Sequence, residues 1–512
     1  MPTSRTLISS SQIFLGVNWL AEGNYLNKLK KFYNNKPAVA IALIYMLYVV
    51  GLLWTENLSY GIGYELKNKL PILTLTFVVA SSPALDKKKI RALLFLFIAT
   101  VLFVSFIGLF TYLTNELTDF RHISPFASQL YFSMMLIISA FLLPWLIKQT
   151  TKNKYWLAIS FVLSAWMIFF IFLSRSLSGL VSLAGVLLFL LIWIVVEHKS
   201  LFLKITAISI FFLSVAFTTW LLTYMHNLTT YKTDVDFSSL DMMTQDGKPY
   251  LHDTTHYLRE NGHLVYLYIS EEELKGQWKE VSEIDYYGED RQKHEIRHTL
   301  FRYMASMGYR KDRKHLKLLS EEDISAIEKG TTNYLYNHWP GIFVRVHQTM
   351  MGIQIYRDTK DPNWSTLTMR ADLWRASFQA LKRKPLIGWG TGDIYKAVDY
   401  GLEKNNSKLE FQQAKPHNQY LLLLISLGVV GFILFFVFYV YAVIKTKAYK
   451  ILPFNLFLVV FAVDMMGNNP IDAQYGITLF VFFTLLFGII YRNTSYDIGK
   501  HNRIHENDMK HS

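Results

Sequence analysis

The chain has no cysteine among its 512 residues. Disulfide cross-links, thiolate nucleophiles and cysteine-ligated metal centres are therefore excluded. Charged residues are sparse at 18%, and acidic residues are outnumbered, 39 Asp and Glu against 52 Lys and Arg. No phosphate-cradling P-loop is present: "GWGTG" at 388–392 has glycines but no following Lys-Ser/Thr, and reads as a tight turn after Pro385. "HDTTH" spaces His252 and His256 four apart, yet lacks the glutamate of a zinc-hydrolase helix, so it is not read as a metal site. The N-terminus lacks the pattern of a cleavable signal peptide, and there is no internal repeat.

What the chain has in abundance is apolar runs. Hydrophobic residues make up 52% and aromatic residues 16%, and they gather into stretches long enough to cross a hydrocarbon core. Ten spans are expected, at 37–54, 68–82, 91–113, 127–148, 155–173, 177–197, 203–225, 418–444, 451–467 and 475–491. The second is short and is read as either tilted differently or extended toward Leu66. The apolar segment 7–20 is read either as an interfacial helix or as the remnant of a span. The fold expected is an all-α polytopic integral membrane protein.

The net charge of +13 would suggest nucleic acid in a soluble protein. Here the basic segments 27–36, 86–91, 148–154, 197–204 and 445–450 all fall on one side of the alternating spans. Lys- and Arg-rich loops mark the cytoplasmic face, so no nucleic-acid partner is inferred and the bilayer is the expected surrounding. The sequence divides into a transmembrane bundle at 1–225, a large external insertion at 226–416, further spans at 417–491 and a cytoplasmic tail at 492–512. An insertion of this length folds on its own or acts as a functional lid.

Within the insertion, "VYLYI" at 265–269 reads as a short strand. Residues 320–330 read as a helix capped by Ser320, with Asp323 three residues on and Gly330 as its stop. "LTMRADLWRASFQALKRKP" reads as an amphipathic helix ended by Pro385, with Met369, Leu373, Trp374, Phe378 and Leu381 as its apolar stripe. Arg370 lies on that stripe, where an arginine needs an anionic partner. Its planar fork suits phosphate oxygens, although a structural ion pair is equally compatible with the spacing. Arg175 stands between two spans, and Arg121 in "DFRHISPF" is similar; each is read as an anion contact or an interfacial side chain. His417 marks the polar mouth of the next span, where it is either a general base or a histidine bonded to backbone.

In combination these pieces resemble the O-antigen ligase and Wzy-type polymerase family of bacterial envelope glycosyltransferases. The resemblance runs from "FRHISPF" and "SRSLSGL" through "RADLWRASFQALKRKPLIGWGTG" to "HNQYLLLLISLGVVG" and "DAQYG", roughly residues 120–490. It implies a GT-C-like architecture of 10–12 transmembrane helices in the inner membrane, with the long loop in the periplasm. It implies a glycan donor carried on undecaprenyl pyrophosphate, an acceptor on lipid A–core or another glycan, and neither cofactor nor metal. Carried onto this sequence, Arg370, Arg175 and Arg121 bind the pyrophosphate. His417 acts on the acceptor hydroxyl, supported by Asn418, Trp374, Gly388 and Gly390. The stretch from about 235 to 350 carries no motif that can be named, and the N-terminus looks one span short of a common twelve-span plan. A polymerase, a protein-directed oligosaccharide transferase and, from another class, a lipid or polysaccharide transporter are the alternatives.

Overall fold

The computed structural model describes residues 4–83, 85–114, 123–124, 126–410 and 413–490. The chain is a multi-pass membrane protein built almost wholly of helices. Among the described residues, seven helices are long and apolar enough to cross a membrane: Lys36–Trp54, Lys87–Thr114, Gln129–Thr150, Lys154–Leu173, Leu177–Glu197, Leu201–Thr230 and Gln419–Thr446. Shorter apolar helices, Leu452–Gly467 and Gln474–Gly488, accompany them. The expected second span is the helix Lys67–Ser81, extended at its start by a π-helical stretch, Gly61–Leu66. Side-chain caps define several entries: Asn35 accepts from Ala38 N, Asn153 from Tyr155 N and Ser176 from Gly179 N.

The segment 7–20 forms the helix Arg5–Ala21, which lies lengthwise against two of these helices. Gln474 donates to Ser9 Oγ, Gln12 Nε2 to Thr478 Oγ1 at 3.1 Å, and Trp19 Nε1 to Ser81 Oγ at 2.7 Å. The paired positions advance together, so this helix runs parallel to the one beginning at Gln474. Its 17 residues rise about 25 Å at 1.5 Å each. Polar side chains tie it to those helices, as they do between membrane helices.

The chain forms two compact units. One comprises the residues before 208, apart from 116–120, together with those after 369. The expected insertion at 226–416 is thus divided: 370–416 cluster with the membrane helices. The other unit, centred on 208–369, has its own core, in which Val265, Trp278, Leu300, Tyr303, Met304 and Ile327 are buried completely. Its helix Glu321–Glu328 begins with the expected cap, a reciprocal box between Ser320 and Asp323. The expected strand 265–269 does not form. Tyr268 adopts φ 55°, which breaks extended geometry, and the strand pair is instead Arg259–Glu260 with His263–Leu264. His252 and His256 do not converge: the first bonds Asp241 O, the second Asp253.

Candidate active site

The helix Thr366–Arg383 carries the first site residue. Its buried face differs from the expected stripe. Asp372, Leu373, Ala376, Ser377 and Ala380 are buried, whereas Phe378 is 52% exposed. Small residues turn inward because the neighbouring helix Ile394–Lys404 approaches closely: a Cβ on Gly401 would lie 2.0 Å from Ala376 O. Arg370 still continues this face, three residues before Leu373, and its Nη2 donates to Asn468 Oδ1 at 3.1 Å.

Asn468 is a junction. Its Nδ2 donates to Asp464 Oδ1 at 2.8 Å, and its carbonyl accepts from Gln419 N at 3.0 Å. Gln419 Oε1 in turn accepts from Ile471 N at 3.0 Å. The end of the helix Leu452–Gly467 is thereby fastened to the start of Gln419–Thr446, and Arg370 is fastened to both.

His417 precedes that start and adopts φ 49°, the left-handed region that a non-glycine residue rarely occupies. Its neighbours in the chain hold it there. Trp374 Nε1 donates to Pro416 O at 2.8 Å. Asn418 caps the helix by accepting from Leu421 N at 3.1 Å, and its Nδ2 donates to Met466 O at 2.9 Å. His417 is an exposed residue. Desolvation by the surrounding protein, then the charges of Arg370 and Lys415, lower its pKa below the ordinary imidazole value. At neutral pH it is an unprotonated ring, able to accept a proton.

Gly388 and Gly390 serve a different part of the architecture. The helix Gln419–Thr446 breaks at Gly428, where φ is 67° and ψ −177°. Segment 385–390 fills the break. Trp389 N and Gly390 N donate to the carbonyls of Ile425 and Ser426 at 2.8 and 3.0 Å. Val429 N and Val430 N donate to the carbonyls of Pro385 and Leu386 at 2.9 and 3.1 Å. Backbone groups freed by a break in a membrane helix need such partners. A Cβ on Gly388 would lie 2.5 Å from Gly428 N. The glycine run expected to make a simple turn is thus a backbone splint inside a broken helix. Thr391 Oγ1 extends it by donating to Tyr48 O at 2.7 Å, and Asp393 accepts from Glu56 N and Asn57 N at 2.7 and 3.0 Å.

Arg175 occupies the turn between Lys154–Leu173 and Leu177–Glu197, with φ 52° and an exposed side chain. The turn is held by Gln129, which donates to Ser174 O. The helix after it packs on Leu452–Gly467, with Gly185 against Val463. Arg121 lies outside the described residues.

Four charged residues that the sequence reading gives no role converge here. Lys415 Nζ meets Glu65 Oε1 at 2.8 Å and also contacts Asp472 Oδ2. Lys69 Nζ lies 2.6 Å from Asp472 Oδ1 and contacts the other Glu65 oxygen. The available signal was the i, i+4 pair of opposite charges entering a span, since ionisable groups at membrane depth demand partners. Their convergence with residues hundreds of positions away left no local pattern.

Residues 331–436 match the Wzy_C family model, described as O-antigen ligase. Arg370, Trp374, Gly388, Gly390, Lys415, His417 and Asn418 all fall inside the matched stretch. No curated protein matches the chain.

Proposed function

We propose that this chain, whose residues 331–436 match the Wzy_C family model described as O-antigen ligase, is a membrane glycosyltransferase of the ligase kind. It moves a glycan from undecaprenyl pyrophosphate to a sugar hydroxyl of lipid A–core, at the periplasmic face of the inner membrane. The observation that carries this reading is that Arg370 and His417 lie together in the matched domain, tied through Asn468 and Gln419 at the mouth of one helix, with the Arg370 charge helping to lower the His417 pKa.

The chemistry follows from what the leaving group needs. Pyrophosphate departs as an anion, so its developing charge must be stabilised, and fixed guanidinium groups do this through charge-assisted hydrogen bonds. Arg370 and Arg175 have that role, with Arg121 as a third contact from its own segment. The acceptor hydroxyl forms the new bond to the anomeric carbon as the carbon–oxygen bond to phosphate breaks on the opposite face, giving inversion. The hydroxyl proton passes to the His417 imidazole. Asn418 and Trp374 hold the backbone on either side of that residue.

Cells lacking the protein, complemented with wild type or with His417→Ala, test the assignment by gel and mass spectrometry of envelope glycans. Ligation is supported if deletion leaves long lipid-linked chains that never reach lipid A–core, and if His417→Ala accumulates normally without restoring transfer. Single repeats on the core, with long chains missing, would make the protein a polymerase. Unchanged glycans would favour a transporter or a protein-directed transferase.

A further inference from the structure

Two residues before His417, Lys415 enters a closed ring of alternating charge with Glu65, Asp472 and Lys69. The side chains of Glu65, Lys69 and Asp472 are 0%, 1% and 4% exposed, and that of Lys415 is 12% exposed. Tyr60 OH donates to Glu65 Oε1 at 2.9 Å, and the Tyr64 ring centre lies 4.9 Å from Lys415 Nζ. Burial alone would lower the pKa of Lys415, but Asp472 and Glu65 outweigh it and hold the residue above the ordinary lysine value. Asp472 is likewise held well below the usual carboxylate range by Lys69 and Lys415, against the effect of its burial. Two lysines and two carboxylates alternate around the ring, so their formal charges sum to zero.

The ring completes the restraint on the strap 415–418. Lys415 is docked by the ring, Pro416 by Trp374, and Asn418 by Met466. His417, left-handed between them, has anchors on both sides. Strained conformations persist where their surroundings over-determine them.

We propose that Lys415 is a positioning residue: the ring docks it so that the strap presents His417, and so that a charge-balanced cluster stands behind the imidazole. The proposal rests on His417 acting as the base of transfer. The charged groups around that ring are Arg370, backed by Asn468 and Asp464, and Lys415, backed by Glu65, Asp472 and Lys69.

Neutralising different members of the ring should move His417 in opposite directions. Lys415→Met leaves the ring at −1 and raises the His417 midpoint by about one pH unit. Asp472→Asn leaves it at +1 and lowers the midpoint by a similar amount. Lys415→Arg and the doubly neutral Lys415→Met/Asp472→Asn stay near wild type. The full-length protein in lipid nanodiscs is modified with diethylpyrocarbonate across a pH series, and carbethoxylation of His417 is read by peptide mass spectrometry. Glycan transfer is followed over the same pH range.

Opposite shifts support the proposal, because simple disordering of the strap would move both variants the same way. Unmoved midpoints, or shifts of one sign, overturn it. If Lys415→Met fails to accumulate, Asp472→Asn and the double variant decide by the same rule. Opposite shifts with pH-independent transfer would preserve the positioning role and remove the base role. Wild-type transfer that follows the His417 midpoint, with ring variants that leave it fixed, would do the reverse.

Discussion

The indole of Trp374 donates to the carbonyl of Pro416, the residue immediately before His417, at 2.8 Å. This bond ties the helix bearing Arg370 to the strap bearing His417, so one side chain couples the two halves of the site. Trp374→Phe keeps the aromatic packing and deletes the donor. A hydrogen bond of this kind contributes about 0.5–1.5 kcal/mol, so transfer should fall by roughly 3- to 10-fold at unchanged protein level. Quantifying glycan transfer in complemented cells checks this; a variant with full activity would deny the coupling.

Arg370 should distinguish charge from shape. Arg370→Ala is expected to lower transfer by about 100- to 1000-fold, the scale for removing one fixed donor from a developing anion. Arg370→Lys keeps the charge but loses the planar fork and the reach to Asn468, and should recover only a small part. Equal activity of the lysine variant and wild type would mean that a point charge suffices.

The break at Gly428 predicts an effect on assembly rather than chemistry. Its φ of 67° is unfavourable for any L side chain, and a Cβ there would lie 2.2 Å from Leu386 O. Gly428→Ala should destabilise the protein by about 1–3 kcal/mol, seen as a lower aggregation temperature of detergent-purified protein on size-exclusion chromatography. An unaltered profile would show that the splint tolerates a side chain.

Lys311, in the unit centred on 208–369, gives a pH prediction. Burial pushes it down to about 7, and its Nζ donates to the carbonyls of Leu264 and Leu267 at 3.3 and 3.2 Å. Between pH 7 and the unfolded lysine value of about 10.4, unfolding takes up a proton, so stability rises with pH across that window, by at most about 1.4 kcal/mol per unit. Below the folded value both states are protonated and the slope vanishes. Urea-dependent proteolysis of full-length protein should therefore show greater resistance of this unit at pH 9 than at pH 7. Lys311→Met should abolish that difference; a pH dependence surviving in the variant would assign it to another group.

Among the described residues, seven of the ten expected spans are helices long and apolar enough to cross a membrane, whereas the expected spans at 68–82, 451–467 and 475–491 are shorter helices. The seven were legible because each announces itself over about 20 apolar residues. The cap at Ser320 was legible for the same local reason. Arg370 was placed on the correct face of its helix, yet Phe378 was misassigned, since hydrophobicity cannot reveal that Ala376 must face a close-packed Gly401. Segment 7–20 was ambiguous because its polar residues pair with Thr478, Gln474 and Ser81, partners that no local window contains. The ring around Lys415 was invisible for the same cause, while His417 drew notice only by standing at a polar–apolar boundary.

That ring also bears on how the chain is made. Lys69 and Asp472 are separated by 403 positions, which at 5–20 residues per second is about 20–80 s of synthesis. Throughout that interval Glu65 and Lys69, one helical turn apart, can neutralise each other. Lys415 and Asp472 arrive late and together add no net charge. The nascent protein can thus lodge two charges at the membrane early without an unpaired ion, and the site is completed only when the last helix is in place. A ribosome-bound chain therefore holds the arginine and the histidine before it holds the geometry to use them.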